Sequence, residues 1–178
     1  MRTQIWRWVL TMVLIVGGIG LAQADRDEYF FGGIDVNPVK NELYKDECGA
    51  CHFAYQPGLL LARSWHKLMA GLEDHFGENA ELNEEDRQIL LSYLEENSAD
   101  HASARLSRKV RRYFRGDETV IKISKIGFIV HEHNEIPSRV FTSKLRGVTN
   151  CNDCHERASE GSYRESEIRI PGYGRWDD

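Results

Sequence analysis

Cys48-Gly49-Ala50-Cys51-His52 and Cys151-Asn152-Asp153-Cys154-His155 hold all four cysteines of the chain between them. Each stretch reads C-x-x-C-H, the attachment pattern of a c-type haem. The chemistry needs this spacing. Two thiols three positions apart can add to the two vinyl groups on one edge of a porphyrin. The histidine that follows is then carried beneath the ring, where its imidazole can ligate the iron. Two disulfides would use the same four cysteines, but leave a histidine after each pair unexplained. A Cys₄ zinc site leaves both histidines unexplained too. A thioredoxin-like pair needs one C-x-x-C in a βαβ setting. The pattern therefore predicts two haem c groups, held by Cys48 and Cys51 and by Cys151 and Cys154, with His52 and His155 as the proximal iron ligands.

The start of the chain bears on where this chemistry takes place. Arg2 and Arg7 form a positive start, Val9 to Leu21 is apolar, and Ala22-Gln23-Ala24 is a small-x-small cleavage pattern. Together these predict a signal peptide over residues 1–24. A retained anchor is the alternative, but a bilayer core needs about 20 apolar residues in a helix. No retained membrane span is expected. Residues 25–178 then form one domain carrying both haems, in the periplasm, where this kind of haem is attached. That domain has 21 Lys and Arg against 28 Asp and Glu. Nothing in it resembles a nucleic-acid-binding arm or stripe. The basic cluster Arg105 to Arg115 reads as one face of a helix, with docking to an acidic partner or to haem propionates as its functional alternative.

An electron carrier needs an iron whose ligands stay in place, and methionine and histidine are the usual sixth ligands. Past the signal peptide only Met69 remains, so at most one haem can be His/Met. Met69 belongs to a stripe at helical spacing, with Leu61, Trp65, Leu68, Leu72 and Phe76, and reads as core packing. His75 lies at the apolar edge of that stripe and is the candidate distal ligand for the first haem. The competing reading makes it a helix-terminal residue before a capping Gly77. His66 lies on the opposite flank, near Glu73, facing solvent. The residues after His155 include no methionine and no histidine, so the second distal ligand must come from upstream. His131 and His133 are the near candidates, and on a helix their side chains diverge by about 200°. His101 lies in a polar stretch and is expected to be exposed.

Ala62-Arg63-Ser64-Trp65, Leu72-Glu73-Asp74-His75-Phe76-Gly77 and His133-Asn134-Glu135-Ile136, taken with the two haem motifs, resemble the dihaem cytochrome c family. Its members are small periplasmic bis-histidine proteins. The resemblance covers most of the chain after the signal peptide. It implies that the distal ligands are His75, before Phe-Gly, and His133, two residues before Glu-Ile. His131 departs from the family, which commonly has a different polar residue there. The resemblance also implies redox-protein partners: a membrane cytochrome b as donor, or a small soluble haem protein as acceptor.

The fold expected is mainly α, a small multihaem cytochrome c with helices and loops packed around two haems and little or no β. Asn83 reads as the N-cap of a helix reaching about Glu96. Ala102 to Phe114 reads as a further helix. Val120–Ile123 and Ile126–Val130 are β-branched and read as extended, or as helical against a haem. Gly161 to Asp178 reads as a surface tail. The function expected is low-potential electron transfer rather than catalysis. A dihaem peroxidase or nitrite-reducing enzyme is the rival, and a gas or redox sensor a second. Either needs an iron with an open or labile position.

Overall fold

Two helices of this chain start at asparagine side chains that take up unpaired backbone amides. Asn41 Oδ1 accepts from the Tyr44 amide at 2.9 Å, and α1 follows over Glu42–Gly49. Asn83 Oδ1 accepts from the Asp86 amide at 2.9 Å, starting α3 at Glu84–Glu96, where the sequence placed it. Between them lies α2, Ala62–Met69. Further on come α4, Arg105–Tyr113, and α5, Gly127–His133. One antiparallel pair, β1 at Arg169–Ile170 and β2 at Gly174–Arg175, is the only sheet among the described residues. The structure, a computed structural model, describes residues 33–114, 116–141 and 148–176. The predicted signal peptide and Arg115 lie outside them. Among the described residues no helix is long and apolar enough to cross a membrane. The fold is mainly α, as expected.

The main core is built by helix faces at i, i+4 spacing. Leu90 and Leu94 of α3 are fully buried, as are Trp65 and Met69 of α2 and Val110 of α4. Met69 is thus a packing residue, 2% exposed. Tyr44 stands edge-on to Trp65 and donates its hydroxyl to Tyr55 O at 2.8 Å. Trp65 Nε1 donates to Pro57 O at 2.8 Å, so the aromatic pair leaves no polar group unmet. A second, smaller cluster buries Val140 and Ile170, with Ile136, Cys154, Ile168 and Trp176 packed around them.

Four local readings need correction. The stripe from Leu61 to Phe76 is not one helix. It stops at Met69, Gly71 turns the chain, and a 3₁₀ turn covers Leu72–Asp74. Phe76 then takes φ +58° and Gly77 φ +98°, with the Gly77 amide donating to Asp74 Oδ1 at 3.0 Å. Phe76 is consequently 49% exposed rather than buried in the stripe. The helix expected from Ala102 begins at Arg105, because Ala104 is extended. Residues 119–122 are not helical, with Lys122 extended, but a 3₁₀ turn at Ile123–Lys125 leads into α5, so for Ile126–Val130 the extended reading fails and the helical one holds. The tail is not all surface, since Ile170, within the small hairpin, is 2% exposed.

Candidate haem sites

The first motif sits where α1 ends. Cys48 is in its last turn, Gly49 closes it, and Cys51 and His52 follow the turn. His52 Nδ1 lies 2.8 Å from Phe53 O, a contact that orients the ring. His75 arrives from the opposite direction, on a loop closed by two backbone bonds with Glu78, at 2.8 and 3.3 Å. Its ring centroid lies 6.1 Å from that of His52, and the planes differ by 21°. Phe76 stacks edge-on against His75, and Lys122 Nζ lies 5.2 Å from the centre of the Phe76 ring.

The second motif is a single 3₁₀ turn, Cys151–Asp153, closed by His155 N donating to Cys151 O at 2.8 Å. The tail holds it from behind, with Arg169 N donating to Cys154 O at 2.9 Å and His155 bridged to Ile168. His133, the last residue of α5, stands over it. Its ring centroid is 6.1 Å from that of His155, with planes 68° apart. His133 Nδ1 lies 2.7 Å from Ile129 O, one turn back on its own helix. His131, two residues before His133, is exposed, as are His101 and His66. His66 pairs with Glu95 at 3.1 Å, not with Glu73.

Burial shifts the ionisation of several of these groups, and for His155 and His75 the shift suits coordination to iron. Burial, with Glu47 adding to it, pushes the Cys48 thiol up to about 11. Burial likewise pushes Cys151 up to about 11 and raises Cys154, helped there by Asp153. None of the four cysteines is in a disulfide among the described residues. His155 is pushed down to about 4 by burial, and further by His133, so its imidazole is neutral at pH 7. His75 is lowered by burial and by His52. A neutral imidazole is the form that binds iron.

Geometry makes the same point. An imidazole nitrogen bonds a first-row metal at about 2 Å, so two imidazoles facing each other across one iron have centroids about 6 Å apart. His155 Nδ1 is buried with no hydrogen-bond partner among the described residues, the kind of orphan that marks a redox or ligand site. A cleft of about 380 Å³ runs between the motifs, lined by Cys51, His52 and Phe53 on one side and Asn150, Asn152 and Asp153 on the other. The residues present fit two haem c groups.

Against known proteins the same result emerges. The family model for dihaem cytochrome c matches residues 44–163, from within α1 to past the second motif. The chain belongs to the dihaem cytochrome c family. It carries two haem c groups. Among solved structures, it is similar to a diheme cytochrome type c from Shewanella baltica OS155, with 34% identity and a TM-score of 0.63. That match covers 77% of this chain and 98% of the other. A diheme cytochrome c from Rhodobacter sphaeroides is 38% identical with a TM-score of 0.64, covering 72% of this chain and 100% of that one. No curated protein matches the chain.

Other residues tie this dihaem cytochrome together without any signal in the sequence. Phe53 N donates to Asn150 Oδ1 at 3.3 Å, and the Tyr55 hydroxyl donates to Thr149 O. Gln56, fully buried, donates to Ala158 O at 2.5 Å and accepts from the Tyr163 hydroxyl at 2.7 Å. The residues that follow the first motif are thereby stitched to those that flank the second. Tyr55 packs 5.2 Å from the His52 ring and Tyr163 the same distance from His155. These partners lie far apart in sequence, so neither spacing nor composition announces them.

Proposed function

We propose that the protein is a periplasmic electron carrier whose two haems are both low-spin and bis-histidine, His52 with His75 and His155 with His133. What supports this pairing is one observation: both imidazole pairs stand 6.1 Å apart, the separation that one iron between them requires. Each haem, when bound, supplies a one-electron ferric–ferrous couple. The chain's part is to hold the ligands still. The His75 loop is closed by its bonds to Glu78 and Asp74, and His133 is fixed by α5. Ligands that do not exchange leave no open position for a substrate, which favours a carrier over an enzyme or a gas sensor. Histidine on both faces lowers the potential relative to His/Met. A membrane cytochrome b as donor and a small soluble haem protein as acceptor fit such a carrier.

His75→Ala and His133→Ala, made separately, test the assignment. Each is expected to turn half of the haem high-spin and leave the other half low-spin in the visible spectrum. A variant that keeps both haems low-spin contradicts the ligand assigned at that position.

A further inference from the structure

Asp35 lies outside the stretch matched by the family, residues 44–163. It is 5% exposed, which for a carboxylate is unusual without partners. Each polar contact of its carboxylate is with a donor. Oδ1 accepts from Arg105 at 2.9 and 3.0 Å, and Oδ2 accepts from the Tyr163 amide at 2.7 Å. The carboxylate thus faces three donor groups from two residues.

The backbone keeps this carboxylate in place. Asp35 N and Val36 N both donate to Gly161 O, at 2.9 and 3.1 Å, and Asp35 O accepts from Leu106 N at 2.8 Å. Gly161 allows the close approach. Its φ is +83°, and a Cβ there would collide with the Val36 carbonyl. The anion is thus built in, not a mobile surface group.

Its place is behind the second motif. Tyr163, whose amide it binds, packs its ring 5.2 Å from the His155 ring. Arg105 offsets the charge of Asp35 only in part. Its side chain is 54% exposed against 6% for Asp35, so water screens the cation far more than the anion.

We propose that Asp35 is a tuning residue that holds the reduction potential of the second haem, at Cys151–His155, below the value a neutral side chain would give. Reduction adds one electron, delivered by a redox partner, and no bond or proton is exchanged at Asp35. A fixed negative charge in a poorly solvated place disfavours that added electron. The proposal rests on Cys151–His155 holding one of the two haems.

The experiment is a potentiometric titration of holo-protein carrying Asp35→Asn, which keeps an acceptor for the Tyr163 amide. Each haem is followed by its own low-spin electron paramagnetic resonance signal. Those signals should differ because the imidazole planes are 21° apart in one pair and 68° in the other. The expected result is that the reduction equilibrium of the second haem shifts about tenfold towards the reduced form, about 59 mV for one electron. The first haem stays where it was. Arg105→Gln should move the second haem the opposite way. No shift in Asp35→Asn, equal shifts of both haems, or movement in the same direction in both variants would overturn the proposal. Mass spectrometry of haem peptides from the same sample separates the failures. A peptide spanning Cys151 and Cys154 without haem would sink the site reading itself. Haem on that peptide, with potentials unmoved, would sink only the role of Asp35.

Discussion

Around the first motif the polypeptide supplies its own interior: Tyr44, Trp65, Met69, Leu72, Leu90 and Leu94 are all buried in one cluster. Around the second it supplies little. Val140 and Ile170 are buried there, and the motif itself is one 3₁₀ turn held by a two-residue hairpin. Burial of apolar surface is the main stabilising term in folding, so the two sites have different needs. The first is mounted on a helical core of buried side chains. The second depends on its haem for most of its interior, since a cofactor that binds only the folded form stabilises that form.

The largest effect that this contrast predicts comes from removing one haem at a time. Cys151→Ser/Cys154→Ser should halve the covalent haem, as read by pyridine haemochrome absorbance. Amide exchange protection should then collapse between residues 148 and 176 while α2 and α3 keep theirs. Equal loss in both regions would mean that the two sites fold as one unit.

Core truncation comes next. Leu90→Ala, at a fully buried position of α3, should cost about 2–5 kcal/mol of holo-protein stability in denaturant unfolding. Ile170→Ala should fall at about 2 kcal/mol, since its small cluster can collapse around the gap. A reversed order would contradict the division between a self-sufficient and a haem-dependent region.

The smallest effect is at a helix start. Asn83→Ala removes the cap of α3 and should cost about 1 kcal/mol, with no change in either haem spectrum. A spectral change would show that α3 is coupled to a haem more tightly than its position implies.

The same contrast explains what was legible in the sequence. Both motifs were readable because thioether chemistry dictates their spacing, whatever the fold around them. The helix over Glu84–Glu96 was readable because Asn83, three acids and an i, i+4 pair of leucines all act locally. His75 was named as a candidate for the wrong local reason. It rides on a loop bent by Gly71 and Gly77, not on the edge of a continuous helix. The stretch 119–130 is β-branched yet partly helical, because packing against α4 outweighs propensity: Tyr113 and Lys109 of α4 meet Phe128 of α5. Asp35, Gln56 and Tyr163 were invisible, since each acts through partners remote in the chain.

The central claim is that both irons are closed, and the most direct test is the visible spectrum of the reduced holo-protein before and after carbon monoxide. Two low-spin c haems unchanged by the gas are the predicted result. A carbon monoxide shift in about half of the haem would mean an open iron, and would contradict the bis-histidine carrier in favour of an enzyme or a sensor.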